Sequence, residues 1–150
     1  MLILPDHEYL DYCGRIDFEK KEEPVFIYAG SYVRLTFTGD SISVRLANQR
    51  AYFTNYIGYI LDGRQGKFSL AEDGEVHSYE IGKRLTGSTH ELLLFKRMDA
   101  CHYFRLCGFE LSMDGELLPQ AALSSRRMEV FGDSVSCGEV SEAIDYVGKE

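Results

Sequence analysis

Apolar and polar residues alternate along most of the first 120 residues of the chain. In SYVRLTF, residues 31–37, Val33, Leu35 and Phe37 share one face of an extended chain, and the residues between them share the other. The segment SISVRL, residues 41–46, repeats the alternation. A period of two is typical of a strand with one buried face. The pattern therefore predicts strands rather than helices.

Turn signals separate these strands at intervals of about ten residues. They are Thr38-Gly39-Asp40, Asp62-Gly63, Asp73-Gly74 and Asp114-Gly115. Regular short strands with such turns predict a sandwich or a barrel. We predict an all-β, jelly-roll-like antiparallel β-sandwich of roughly eight strands, from about residue 10 to about residue 120. The further predicted strands lie in FTNYIGYILDG, KFSL, VHSYEI, HELLLFKR and YFRLCGFEL.

The pattern changes after Pro119. PQAALSSRR is typical of a connector, and RRMEVFGDS predicts a new strand that runs into a turn. SEAIDYVGKE has weak helical character, and a strand, a turn and a helix in this order are typical of the start of an α/β domain. We therefore predict a sandwich domain with its connector over residues 1–124 and the incomplete start of a second domain over residues 125–150. The second segment is expected to pack poorly, or to dock on the sandwich, unless another chain completes its sheet.

Composition and charge narrow the classes of partner. Hydrophobic residues make up 45% of the 150 residues, enough for a buried core. The net charge of −8 disfavours nucleic acids and anionic membranes, whereas a neutral ligand such as a sugar is compatible with it. The N-terminus has no signal-peptide pattern, and no apolar run approaches the ~20 residues of a membrane span. The default expectation is the cytoplasm, or the exterior if an export signal has been removed.

The four cysteines, Cys13, Cys101, Cys107 and Cys137, show no CxxC spacing. We therefore expect neither a metal site nor a cofactor, and we interpret the cysteines as reduced thiols that are mostly buried. Cys101 and Cys107 would form a disulfide only if adjacent strands bring them together. The basic pairs Lys96-Arg97 and Arg126-Arg127 are interpreted as solvated strand ends.

Ser134 is the candidate for chemistry. A serine hydroxyl is a poor nucleophile at neutral pH and needs a general base and an oxyanion hole. At the end of a strand its backbone N–H can help to hold an oxyanion. Gly132 lets the turn pass close to a substrate, Asp133 can brace the turn, and Gly138 allows a tight return. Gly-Asp-Ser alone is common in ordinary turns, so the motif by itself leaves the structural interpretation open.

The residues around the Gly-Asp-Ser motif resemble a conserved block of a known protein family. VFGDSVSCGEV resembles the first conserved block of the SGNH (GDSL-type) hydrolases, and the whole chain is similar to carbohydrate esterase family two, the acetyl-xylan and sugar O-acetyl esterases. The resemblance implies an N-terminal jelly-roll domain, a connector and then an SGNH hydrolase domain of the α/β class, of which this chain holds the first strand and turn. The stretches that carry it are GRIDF, YAGSYVRLTFTGDSISVRL, YILDG, HELLLFKR, GFEL and RRMEVFGDSVSCGE.

The resemblance also implies roles for single residues. Ser134 matches the nucleophile and its amide an oxyanion-hole donor, while Gly132, Asp133 and Gly138 match the structural part of the block. The later blocks of the family supply a Gly, an Asn and a DxxH histidine, but the segment after Ser134 contains neither His nor Asn. We therefore expect this chain alone to be inactive and to depend on the remainder of the SGNH domain. The four upstream histidines are interpreted as structural or solvent-facing: His7, His77, His90 and His102.

Two functions follow as hypotheses. In the first, the complete protein is a serine-type carbohydrate O-acetyl esterase that acts on xylan or another acetylated carbohydrate. In the second, the chain is a non-catalytic carbohydrate-binding or structural sandwich module. For the second, Tyr52, Phe53, Tyr56 and Tyr59 are candidates for a platform on which sugar rings stack, although packing within the sheets is the favoured interpretation for them.

Overall fold

The computed structural model describes residues 1–122, 126 and 128–137. Within these residues the chain forms twelve strands in two antiparallel sheets, and no helix. The all-β prediction is therefore confirmed. The strands are β1 (Leu2–Ile3), β2 (Asp11–Cys13), β3 (Ile16–Asp17), β4 (Val25–Phe26), β5 (Tyr32–Phe37), β6 (Ser41–Arg50), β7 (Tyr56–Leu61), β8 (Arg64–Ser69), β9 (Val76–Lys83), β10 (His90–Lys96), β11 (His102–Leu111) and β12 (Leu117–Leu118).

The two sheets form a sandwich of the predicted kind. The first sheet has the order β3-β4-β11-β6-β9, with β1 also paired to β11. The second sheet has the order β12-β5-β10-β7-β8, with β2 also paired to β5. Strands distant in the sequence are therefore neighbours in each sheet, which agrees with a jelly-roll-like arrangement rather than a simple meander.

The core lies between the inner faces of the two sheets. Val33, Leu35 and Phe37 are buried at alternate positions of β5, so the faces read from the sequence are confirmed. In the first sheet the rings of Phe26 and Phe104 stack with their centroids 4.8 Å apart. Inward-facing apolar side chains from both sheets form one cluster, which is what holds a sandwich together.

The predicted turn at Asp62-Gly63 joins β7 to β8 in a tight hairpin. Both residues have positive φ, +49° and +76°. A two-residue hairpin turn of this kind matches the right-handed twist of the two strands that it joins. The Asp62 carboxylate also accepts a hydrogen bond from the backbone N–H of Glu91 at 2.9 Å and contacts Nδ1 of His90 at 2.7 Å. The turn is thereby tied to the start of β10.

Two sequence expectations are corrected here. The described residues in the predicted strand of RRMEVF, 126 and 128–131, are not in a strand, because a strand needs a paired neighbour and none is formed there. The four cysteines are in no disulfide, but none is fully buried: Cys101 is exposed and the other three are intermediate. Cys13 and Cys107 occupy outward positions of β2 and β11, so strand alternation keeps their side chains off the core.

Candidate functional site

Ser134 lies in an exposed turn that Asp133 braces. The Asp133 carboxylate Oδ1 accepts a hydrogen bond from the N–H of Val135 at 3.1 Å, and its backbone carbonyl accepts one from the N–H of Cys137 at 3.1 Å. Ser134 itself is exposed to solvent. A short polar turn of this kind presents a hydroxyl without burying it, which a nucleophile that attacks an external ester requires.

Gly132 stands where the turn closes on itself. A Cβ atom at this position would lie 2.1 Å from Oγ of Ser136, closer than any real contact. Glycine is therefore required by the close approach of Ser136, in addition to the role predicted for it beside a substrate. Gly138, the fourth residue of the candidate set, lies outside the described residues. The roles assigned to these residues by sequence stay predictions.

The apolar side chains that precede the turn are exposed. Met128 is 87% exposed, Val130 76% and Phe131 80%. An exposed apolar run of this kind marks a surface that another part of a protein covers. This segment therefore has the side chains of a buried strand without the neighbours that would bury it.

A polar cluster, which sequence reasoning missed, is centred on the loop between β10 and β11. Asp99 is its centre: Oδ1 contacts Nδ1 of His102 at 2.8 Å and accepts the N–H of Cys101 at 2.9 Å, and Oδ2 accepts the hydroxyl of Tyr52 at 3.1 Å. The Nζ of Lys96 donates to the backbone carbonyls of Met98 and, at 2.7 Å, of Asp99. We call Tyr52, Lys96, Asp99 and His102 the loop cluster.

Burial and hydrogen bonding together set the pKa values in the loop cluster. Burial lowers the pKa of Lys96 from its usual 10.5 to about 8, although Asp99, Cys137 and Cys101 act to raise it. For Asp99, burial raises the pKa, but the hydrogen bonds from His102, Cys101 and Tyr52 outweigh it and the net pKa is lowered. The hydrogen bond with Cys101, burial and the Asp99 carboxylate together raise the pKa of Tyr52.

Lys96 corrects one interpretation made from the sequence. Read from sequence as a solvated strand end, it is 1% exposed, because the alternation of β10 points it inward beside Leu92 and Leu94. The carbonyls of Met98 and Asp99 accept the hydrogen bonds of its buried ammonium.

The four histidines all have structural partners. His102 is buried and also contacts the carbonyl of Tyr52 through Nε2 at 2.5 Å, and His90 is buried with Nδ1 on Asp62. His77 contacts the Asp73 carboxylate at 2.8 Å at the surface, and Nδ1 of His7 accepts the N–H of Tyr9 at 3.2 Å. The interpretation of these residues as structural or solvent-facing agrees with this geometry.

The four aromatic residues considered for a sugar platform are not on one surface. Tyr52 packs edge-on against His102 in the loop cluster, at 4.9 Å between ring centroids, and Phe53 packs edge-on against Tyr52 at 5.2 Å. Tyr59 faces inward and packs against the core, whereas Tyr56 faces outward beneath the ammonium of Lys67, 4.9 Å from the ring centroid. The favoured interpretation, packing within the sheets, holds for Tyr59.

Two further features are absent from the described part of the chain. No group of three or more His, Cys, Asp or Glu side chains there is arranged to hold a metal ion. The same residues include no helix of the length and apolar character needed to cross a bilayer.

Comparison with known proteins defines the class of the sandwich. Residues 12–120 match the profile of the family described as Carbohydrate esterase 2 N-terminal. The chain belongs to this family. The resemblance read from the sequence is thereby confirmed, and with it the jelly-roll-like sandwich as the fold class.

Similar proteins extend the comparison beyond the family profile. The chain is 29% identical over 139 residues to the Cellulase/esterase CelE of Acetivibrio thermocellus, a match that covers 91% of this chain and 16% of that protein. A family two carbohydrate esterase from Clostridium thermocellum, solved in complex with cellohexaose, has a TM-score of 0.69 and 28% identity over 78% of this chain and 35% of its own. A family two carbohydrate esterase from Cellvibrio japonicus has a TM-score of 0.79 and 23% identity over 100% of this chain and 43% of its own, and shows the fold alone.

The chain thus spans less than half the length of each of these relatives. They are esterases, so the class of chemistry expected from the sequence holds at the level of the family.

Proposed function

We propose that the complete protein is a serine-type carbohydrate O-acetyl esterase, to which this chain contributes the N-terminal sandwich and the nucleophile. Membership of the family supports the esterase class, and the complex of a relative with cellohexaose supports a carbohydrate ligand. The observation that carries the proposal is the exposed Ser134, held in the Asp133-braced turn directly after the family domain.

The reaction that this serine would perform is an acyl transfer in two halves. Oγ of Ser134 attacks the acetyl carbonyl carbon while a general base takes its proton, and a tetrahedral oxyanion forms. The base returns the proton to the sugar oxygen as the ester bond breaks, which leaves an acetyl-serine. Water, which gives its proton to the same base, then attacks the acetyl-serine; acetate leaves and the base returns the proton to Oγ of Ser134. The amide of Ser134 is one donor to the oxyanion, and such a donor contributes about 3 kcal/mol.

The general base comes from polypeptide beyond this chain in the proposal. Every histidine of the described residues has a partner in the sandwich, and two are buried. This observation also favours the alternative for the 150 residues taken alone, a non-catalytic binding or structural module. The reading frame past Glu150 separates the two hypotheses, because only the esterase needs a following Asn block and a DxxH block.

The direct test is turnover of p-nitrophenyl acetate by the polypeptide carried to the end of its reading frame. We expect Ser134→Ala to lower kcat by about 10⁴-fold or more, as removal of a serine nucleophile does. Ser136→Ala, in the same turn, is the matched control and should keep kcat within about threefold. Unchanged turnover in Ser134→Ala would sink the proposal. Acetate release from acetylated xylo-oligosaccharides then tests the substrate class.

A further inference from the structure

Several connections cross from one sheet to the other at the end of the sandwich where β5 begins. They are the segments 14–15, 27–31, 51–55, 70–75 and 97–101. The strands that they join have matching orders, β4-β11-β6 in the first sheet and β5-β10-β7 in the second. The loops therefore lie side by side, with 97–101 in the centre between 27–31 and 51–55. We call these segments the loop row.

Hydrogen bonds tie the central loop of the row to the loops on either side. On one side, the N–H of Gly30 donates to the carbonyl of Lys96 at 2.9 Å. On the other side, the N–H of Ala51 donates to the carbonyl of Cys101 at 3.0 Å. Surface loops are commonly mobile, but loops bound to each other in this way are held in one conformation. A ligand that binds them therefore loses little free energy in ordering the chain.

The backbone of Phe53 is held in an unusual conformation. Its φ is +50°, in the left-handed region that a phenylalanine seldom adopts. The guanidinium of Arg50 donates to the carbonyl of Phe53 at 2.8 Å, and Nε2 of His102 contacts the carbonyl of Tyr52. Backbone strain of this kind persists where surrounding contacts impose it, and such positions are frequent at ligand sites. The loop cluster thus fixes the position of the Phe53 ring.

Exposed aromatic rings stand on both sides of the central loop. Tyr28 is 49% exposed and Phe53 is 36% exposed. The strands that follow their loops, β5 and β7, are separated by β10 alone, which places them about 10 Å apart. Charged groups flank the rings: the guanidinium of Arg15 lies 5.9 Å from the Tyr28 ring centroid, and the Glu72 carboxylate, paired with Arg50, is 58% exposed. The row therefore combines two rings with polar groups at its ends.

The chemistry of these side chains selects the class of ligand. The apolar faces of a sugar ring stack on an aromatic ring, and its hydroxyl groups bind guanidinium and carboxylate groups. A linear oligosaccharide repeats this arrangement from one sugar to the next, so a single chain can reach both rings. A protein partner would need roughly 800 Å² of contact surface, far more than two rings at the tips of loops provide. The net charge of −8 disfavours a nucleic acid.

We propose that the loop row is a binding site for a neutral linear oligosaccharide, with Tyr28 and Phe53 as its stacking residues. The inference rests on the proposed function for the class of ligand, since a carbohydrate esterase acts on a carbohydrate chain. The site takes no part in the acyl transfer. It holds the substrate chain on the sandwich, and thereby raises the effective concentration of acetyl groups near the esterase.

The test is a titration of the 150-residue chain with unacetylated xylohexaose and cellohexaose, followed by the NMR shifts of backbone amides. We expect at least one of these probes to shift the amides of the loop row. Phe53→Gly and Tyr28→Ala should each weaken binding about tenfold, the loss expected for one stacking contact. Glycine accepts the positive φ at position 53, so that variant removes the ring and keeps the backbone conformation. The matched control is Phe18→Ala, which removes a 41% exposed ring outside the row and should keep the affinity within about twofold.

Three results would overturn the inference. The first is the absence of a saturable shift with either probe up to about 5 mM. The second is a set of shifts confined to residues outside the loop row, which the native chain alone reveals. The third is an affinity that Phe53→Gly and Tyr28→Ala leave unchanged, or that Phe53→Tyr, which keeps the ring, lowers as much as Phe53→Gly does. The probes carry no ester, so the outcome is independent of turnover by Ser134→Ala, and the binding site and the esterase activity can fail separately.

Discussion

The sandwich and the GDS block differ in how their apolar side chains are satisfied. The sequence predicts a strand in both, yet Phe104 in the sandwich is fully buried and stacked on Phe26, whereas Phe131 in the block is 80% exposed. The two segments differ in exposure because only one of them is paired with a neighbouring strand. β11 pairs with β6 along nearly its whole length, while residues 128–131 pair with nothing in the described chain. A strand pattern therefore specifies a strand only where the partner strands are present as well.

The largest expected effect contrasts these two phenylalanines. Phe104→Ala should lower the free energy of unfolding of the 150-residue chain by about 4 kcal/mol, because it removes a buried ring and leaves a cavity. Phe131→Ala should change it by less than about 0.5 kcal/mol, because the ring buries little surface. Urea unfolding monitored by far-UV circular dichroism measures both. A large loss in Phe131→Ala would mean that the block packs on the sandwich after all.

A second comparison concerns two Asp–His pairs, one buried and one exposed. Asp99→Asn should destabilise the chain by about 3 kcal/mol, because it leaves the buried His102 without its carboxylate partner and removes a negative charge near the buried Lys96. Asp73→Asn removes the partner of His77 at the surface and should leave the midpoint unchanged within error. The same urea titration tests both. Equal effects would show that the loop cluster contributes no more than a surface pair.

The last expected effect is a dependence of stability on pH. The pKa of Lys96 is about 8 in the fold and 10.5 when unperturbed, so between these values the unfolded chain binds more protons and stability rises with pH. Lys96→Met lacks this titrating group. The free energy of unfolding of the native chain minus that of the variant should therefore rise from pH 8 to pH 10.5. Lys83→Met, at an exposed lysine paired with Glu80, is the control and should keep a constant gap. A constant gap for Lys96→Met would contradict the lowered pKa.

The elements that could be predicted from the sequence are those with a regular pattern of apolar residues or a distinctive turn. Val33, Leu35 and Phe37 were assignable because their period is regular, and Asp62-Gly63 because a two-residue turn with positive φ has a distinct sequence. Strands of two residues, such as Leu2–Ile3, have no period to read. Cellular location stays a prediction from the sequence.

The loop cluster was hidden for a different reason. Lys96 follows an apolar run and resembles a solvated end, and only the contacts with the carbonyls of Met98 and Asp99 make its burial possible. The one signal in the sequence was that Lys96 continues the inward alternation of Leu92 and Leu94. For the candidate turn, the motif at Ser134 identifies a hypothesis, and the segment after Ser134 contains neither His nor Asn to support it.

The most direct test of the account asks whether Ser134 is a nucleophile. The polypeptide carried to the end of its reading frame is treated with a fluorophosphonate, which labels activated serines, and the adduct is mapped by peptide mass spectrometry. The account predicts one adduct per chain, on Ser134, and none in the Ser134→Ala variant. An unlabelled Ser134, or an adduct on another serine, would contradict it.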